Sequence, residues 1–474
     1  MRGARLGGVE IVETRDARRA APAGESAVCD VVIAGCGVAG LYAALNLPAT
    51  CQVVMLSKGA VEECDSMLAQ GGICVLPEAG DYDSFFEDTM RAGHGANRRE
   101  SVDIMIRSSR AIVNDLLALG VEFQRAGDGS LAFTREGAHS RPRIAFKADI
   151  TGRAITTRLL DAVRALPNVR IYEHVAAVDL IVDSEGGKDR CLGLLCRSVP
   201  EGLSACTAEE LRTDAEGVGP AFEVRAGHTL LATGGIGGVY EHSTNYPQLT
   251  GDACLFAAEH GVEMEDLDCV QIHPTGLYSE APGRTFLISE SCRGEGAILL
   301  DAAGERFCDE LQPRDVVAAA IREQMRRDGA EHVWLSFDPV DREVVCGHFA
   351  NIREHCLSEG RDILEGPIPV VPTQHYFMGG VRVDRDSATD LEGLYVAGEA
   401  ACNGVHGKNR LASNSLLESL VFARRAAYAI AVGESLAVEP AGEPALDGIH
   451  RPLAGLRTAL DALIESPSVE RKSE

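Results

Sequence analysis

The sequence predicts an α/β fold: a Rossmann-like domain interrupted by an inserted α+β domain and followed by a short helical tail. Three observations predict it. An apolar segment near the start runs into a glycine-rich turn and then a helix-like stretch. Two strand-like runs, Thr229–Gly235 and Gly393–Glu399, both end in glycine turns although they lie far apart in the chain. With 474 residues and about 150 per domain, two or three domains are expected.

The elements follow in order. Residues 1–27 interleave five arginines with Glu10, Glu13, Asp16 and Glu25, which reads as a disordered extension, since transit peptides are poor in acids. Val28–Ala34 is a short apolar run of the kind that forms a buried parallel strand. It enters Gly35-Cys36-Gly37-Val38-Ala39-Gly40, then a helix over Leu41–Leu47 and a second strand over Gln52–Leu56. Glycines there let backbone approach a pyrophosphate, and the helix N-terminus supplies N–H donors. The acid that holds a ribose in nicotinamide-binding versions of this motif is missing, because the second strand ends in Ser57-Lys58, which argues against ordinary NAD binding. Ser101–Leu119 is an amphipathic helix with Ile104, Ile112, Leu116 and Leu119 on one side. Thr151–Leu166 reads as another helix, Val169–Glu173 and Ala176–Val182 as strands, and Pro200–Pro220 as a surface hairpin or loop. The nucleotide-binding domain then covers 28–266 and 378–432, with 267–377 inserted and helix Asn414–Val432 returning to the first domain. Residues 433–474 begin Pro/Gly/Glu-rich and carry one amphipathic helix over Leu453–Ile464.

Composition narrows the function. Lys+Arg number 45 against 71 Asp+Glu, a net charge of −26. That excess of acid argues against nucleic-acid binding and against docking on an anionic membrane. An anionic substrate must find a local cationic pocket. Fifty glycines exceed the usual share of about 7% and suit backbone wrapped around a large ligand. The fifteen cysteines are scattered without a CxxC pair, as in a reducing, cytoplasmic setting; no metal is expected. No run reaches the ~20 apolar residues of a membrane helix.

Four stretches hold more polar and cationic residues than packing needs. They are Thr134–Arg141; Gln271 with His273-Pro274-Thr275; Ser289–Gly296 around Arg293; and His375–Gly380, continued by His406–Ser415. Each alone reads as a loop or turn. Two of their four histidines and two of their four arginines are suited to hold carboxylates, the guanidinium groups bidentately.

The strings GCGVAG, SKGAVEECDSMLAQGGI, TREGAHS, DITGRAI, ATGG, HPT, LISESCRGEGAILL, PRDVVAAAI, HYFMGGV, LYVAGEA and HGKNRLASNSLLESLVF occur in this order. Through them, from about Cys29 to Val432, the chain resembles the succinate dehydrogenase/fumarate reductase flavoprotein superfamily, and within it the branch that oxidises L-aspartate. The resemblance implies a Rossmann-like FAD-binding domain interrupted by a capping domain. It places Gly35, Cys36, Gly37, Val38, Ala39 and Gly40 at the FAD pyrophosphate and Lys58 on the adenosine side. Asp65, Ser66, Met67, Leu68, Ala69, Gln70, Gly71 and Gly72 would lie along the flavin, with Val175, Asp252, Glu399, Ser413, Ser415 and Leu416 completing the site. Membrane-complex relatives link the flavin covalently to a histidine before the AQGG string; Asp65 stands there here, so non-covalent FAD is expected.

For the substrate, the resemblance implies dicarboxylate ligands His273, Thr285, His375 and Arg410, with Arg293 catalytic. Glu136 discriminates, because a carboxylate attracts the ammonium of an amino acid and repels a plain dicarboxylate. L-Aspartate would lose a hydride to FAD and become iminoaspartate, the first step of NAD (quinolinate) biosynthesis. Oxygen or fumarate would then reoxidise the cofactor, and quinolinate synthase is a possible partner. The alternatives are a fumarate reductase or succinate dehydrogenase flavoprotein subunit, and a non-catalytic flavin-binding subunit. The tail is shorter than the three-helix domain that usually closes such relatives.

Overall fold

The first apolar run forms strand β1, Ala27–Ala34, which begins one residue before the expected start. The following helix α1 is Val38–Asn46, so it starts inside the glycine string and not at Leu41. Strand β2, Val53–Leu56, is buried at every position, as expected of a parallel strand covered on both faces. The computed structural model describes residues 27–433 apart from 185–187, 201, 213–216 and 281–282, together with a small hairpin of Arg5–Leu6 and Val9–Glu10. Otherwise the expected N-terminal extension, and the helix expected at Leu453–Ile464, lie outside the described residues.

Helix α2 (Arg99–Ala118) falls on the amphipathic stretch expected at Ser101–Leu119, and α3 (Thr151–Arg164) on the helix expected at Thr151–Leu166. The sheet continues with β3 (Val169–Tyr172), β4 (Val175–Asp183), β5 (Arg190–Ser198) and the long β6 (Ala221–Leu231). Its order is β3-β2-β1-β6-β5-β4. β1, β2, β3 and β6 run parallel, whereas β5 is antiparallel to both of its neighbours. One edge of β6 changes partner along its length: Ala221–Arg225 pair with β5, and Thr229–Leu231 pair in parallel with the distant strand Leu394–Val396. The expected loop over Pro200–Pro220 contains a short helix, Ala208–Arg212.

Strand side chains alternate between two faces, and two cores result. Val31, Ile33, Val53, Met55 and Leu230 pack among α1, α2 and α3. Val32, Ala34, Val54, Leu56 and Leu231 pack on the opposite face with Phe256 and Val396. Burying a side chain of this size contributes roughly 1.5–3 kcal/mol.

Between Val270 and Phe377 a second sheet forms, of β7 (Val270–Leu277), β8 (Ile298–Leu300), β9 (Val333–Ser336) and β10 (Ile368–Phe377). It is antiparallel, in the order β7-β10-β9-β8. It carries its own apolar core, including Leu299, Leu335 and Ile368, against Val317 and Ile321 of helix α4, Arg314–Asp328. Helix α5, Asn414–Val432, returns to pack against α1 and α2.

Candidate active site

A cavity of about 1680 Å³, counting its open mouth, runs from the C-terminal ends of β1 and β6 to the inserted sheet. This is where open α/β sheets place their ligands. At its first end Gly35 has φ +111°, and a Cβ there would lie 2.0 Å from the Ala232 carbonyl oxygen, so only glycine fits. Gly37 precedes α1, whose start has no side-chain cap and no acid in its first turn. Ser66 Oγ accepts the Val38 N–H at 3.1 Å; the remaining first-turn donors have no intrahelical acceptor. Lys58 Nζ bonds Asp252 Oδ2 at 3.0 Å and Thr250 Oγ1 at 2.8 Å beside this end.

Midway, Asp65 accepts the Tyr246 backbone N–H at 2.8 Å through Oδ1 and the Asn245 amide through Oδ2. Burial raises its carboxyl pKa to about 7. Glu399 accepts the Phe377 N–H at 2.9 Å; burial, with Asp65 nearby, raises it to about 8. Gln70 Oε1 is buried without a partner.

The far end is cationic. Arg314, at the start of α4, donates to Glu290 and, at 2.8 Å, to Gln271 Oε1. Arg410 reaches the same Gln271 oxygen at 3.3 Å, donates to Ser415 Oγ at 2.7 Å and stacks 4.5 Å from the Tyr376 ring centre. One amide oxygen of β7 therefore sets the spacing of two guanidinium groups. Burial, then the charge of Arg314, lowers the Arg410 pKa to about 10. Burial and Arg314 also hold His273 and His375 well below the usual imidazole range, so both rings are neutral. Among these cations Glu136 is buried, accepting from Ser291 Oγ at 2.8 Å and Ser413 Oγ at 2.6 Å. Burial and neighbouring Glu290 raise its pKa.

The structure brings most of the expected residues into this one cavity: Gly35 to Ala39, Lys58, Asp65, Ser66, Leu68 to Gly72, Glu136, Val175, Asp252, His273, His375, Glu399, Arg410, Ser413, Ser415 and Leu416. Four expected residues do not line it. Gly40 packs against Gly35, with no room for a Cβ, and Met67 turns towards the core around α1. Thr285 points its methyl at Gly276 while its N–H binds Ser243. Arg293 is the larger correction. The short helix Glu290–Gly294 aims Arg293 into the inserted domain, where it donates to the Glu310 carbonyl at 2.6 Å and lies 3.9 Å from Glu290. The guanidinium lining the cavity beside Glu290 is Arg314. Arg284 also lines the cavity, and neither it nor Arg314 was singled out from the sequence. Among the described residues no group of three or more His, Cys, Asp or Glu converges as a metal site, and no helix is long and apolar enough to cross a membrane.

Such a fold and cavity define a flavoprotein: a family profile described as "FAD binding domain" matches residues 30–416. L-Aspartate oxidase of Clostridium perfringens is 44% identical over 404 residues, covering 85% of this chain and 87% of that one. The L-aspartate oxidase of Neisseria meningitidis is 41% identical over 425 residues, covering 88% and 80%. Among solved structures, quinol fumarate reductase of E. coli superposes with a TM-score of 0.75 at 29% identity, covering 92% of this chain and 75% of that one. The chain belongs to the L-aspartate oxidase family, within the FAD-binding flavoproteins.

Proposed function

We propose that this chain oxidises L-aspartate to iminoaspartate, the first step of NAD biosynthesis through quinolinate, in a cytoplasmic setting. Glu136 carries the reading: a buried carboxylate lining the same cavity as two histidines and Arg410 complements a ligand with two carboxylates and one ammonium. The cofactor is FAD, and the residues present fit it. The first turn of α1, where only the Val38 N–H is taken by Ser66, and the side-chain-free Gly35 suit a pyrophosphate, Lys58 suits the adenosine side, and the unpartnered Gln70 oxygen suits a flavin ring N–H.

His273, His375 and Arg410 hold the substrate carboxylates, and charge-assisted bonds of this kind are worth roughly 1.5–3 kcal/mol each. Pinning both ends fixes the orientation of the Cα–H. Bound FAD supplies the two-electron acceptor for the hydride that leaves Cα. Glu136, with its raised pKa, is suited to take the ammonium proton that must leave as the C=N bond forms. Arg314, held by Glu290 and Gln271, adds positive charge where the carboxylates sit. Oxygen or fumarate serves as the final acceptor; fumarate has the same two carboxylates and lacks the ammonium. Release of iminoaspartate to a quinolinate-forming partner belongs to the same reading. With both Asp65 oxygens engaged by Tyr246 and Asn245, FAD is held without a covalent link.

The test is anaerobic mixing of the FAD-loaded enzyme with L-aspartate. The flavin absorbance should bleach, while succinate and D-aspartate leave it unchanged; bleaching by succinate but not by L-aspartate would overturn the reading. Glu136→Gln should lower aspartate oxidation about 10- to 100-fold and retain fumarate reduction. Equal loss of both would make Glu136 structural. After acid precipitation the yellow colour should stay in solution; a yellow pellet would refute non-covalent binding.

A further inference from the structure

A neutral imidazole donates from one nitrogen and accepts at the other, so a histidine serves a carboxylate in only one tautomer. In His273 the choice is forced. The Thr275 backbone N–H, which can only donate, reaches His273 Nδ1 at 3.2 Å, leaving the proton on Nε2. That Nε2 is buried without a partner on a residue that lines the cavity.

His375 has no backbone donor to decide the matter. Its Nδ1 lies 2.8 Å from Thr244 Oγ1, and a hydroxyl can donate or accept. The hydroxyl's other acceptor is the Gln374 carbonyl, 3.3 Å away. That oxygen already takes the Thr244 backbone N–H at 3.0 Å. A carboxylate at Nε2 requires the N–H on that nitrogen; Nδ1 is then an acceptor, and the hydroxyl proton goes to it along the shorter, 2.8 Å contact instead of to Gln374. The loop bearing Thr244 is pinned on all sides. Ser243 Oγ donates to Gln374 Oε1 at 2.5 Å, and the Ser243 carbonyl accepts the Thr285 N–H at 2.8 Å. Asn245 and Tyr246 bind Asp65, and Arg284 donates to the Thr244 carbonyl at 3.3 Å.

We propose that Thr244 is a positioning residue for substrate binding: its hydroxyl locks His375 as the Nε2–H tautomer, so both cavity histidines meet the substrate carboxylates as N–H donors. The proposal rests on the reading of His273 and His375 as carboxylate ligands. Without the hydroxyl, His375 is free to carry its proton on Nδ1, and its Nε2 lone pair then faces a carboxylate and repels it. The rings sit 5.1 Å apart, under the charges of Arg314 and Arg410 and, for His273, also Arg293. Those cations disfavour protonation, which leaves tautomer and not charge as the variable.

The test compares the FAD-loaded parent with Thr244→Val, Thr244→Ser and His375→Asn. Thr244→Val should raise KM for both L-aspartate and fumarate about 10-fold, with kcat changed less than about threefold. Thr244→Ser should restore KM. In spectra of ¹⁵N-histidine-labelled enzyme, the His375 signals, identified by their loss in His375→Asn, should report an acceptor Nδ1 in the parent and mixed tautomers in Thr244→Val. An unchanged KM in Thr244→Val, or a protonated Nδ1 in the parent, overturns the proposal while a raised KM in His375→Asn leaves the ligand reading standing. An unchanged KM in His375→Asn overturns both.

Discussion

Arg314 occupies the first position of its helix, directly after Pro313, where the positive end of the helix dipole disfavours a cation. Glu290 and Gln271 offset that cost. A lysine would keep the charge and lose the fork that bonds both partners at once. Arg314→Lys should therefore lower turnover about 100-fold while leaving the melting temperature close to the parent's, which steady-state rates and a thermal scan would check. The sequence did hold a sign of this role, since an arginine at a helix start runs against the dipole. Choosing between Arg293 and Arg314 was beyond it, because that depends on which side chains of the short helix Glu290–Gly294 face the cavity. Tertiary packing sends Glu290 forward and Arg293 back to Glu310. Glu136 was singled out through the family resemblance, since its stretch alone reads as a loop, and it does line the cavity.

At the scale of elements, local patterns were the readable ones. The β1–α1–β2 unit follows from glycines whose need is set within a few residues, and α5 begins and ends where its apolar pattern does. Gly35→Ala should abolish FAD retention, since the added Cβ meets the Ala232 oxygen at a backbone angle few side chains adopt. Flavin absorbance per purified chain measures it. The helix Ala208–Arg212 was missed although its signal is present. Thr207 and Glu210 bond each other's backbone N–H groups, at 3.2 and 2.7 Å, a capping box spelled by Thr-x-x-Glu. Five residues were too few for periodicity to register. The two edge partners of β6 lay out of reach, because pairing Leu231 with Val396 is a fact of topology.

For the molecule as a whole, three guanidinium groups, Arg284, Arg314 and Arg410, line one cavity in a chain of net charge −26. Attraction for a dicarboxylate is thus local, as fields fade over about 8 Å at physiological salt. Burial also ties stability to pH. His406 is buried against Tyr376, and burial, then Arg410, lowers its pKa to about 3. The unfolded chain takes up that proton from about pH 6.5 downward and the folded chain does not, so stability is lost as pH falls through this window. Buried Asp65, Glu399 and Glu418, raised to about 7, 8 and 7, push the other way, so the informative quantity is a difference. His406→Gln should gain about 2 kcal/mol on the parent between pH 7 and pH 5, measured by denaturant unfolding of both at each pH.

The divided edge of β6 has a consequence for synthesis on the ribosome. Thr229–Leu231 emerge long before Leu394–Val396, their parallel partner, and at about 5–20 residues per second the delay is on the order of ten seconds or more. All four strands of the inserted sheet emerge within that interval, so the guest can close while its host is still open. Until Val396 arrives, the end of β6 keeps unpaired backbone groups on one side, the kind of edge that recruits stray strands. The place where the finished protein gathers its ligand is thus the last part of the sheet to be sealed during translation.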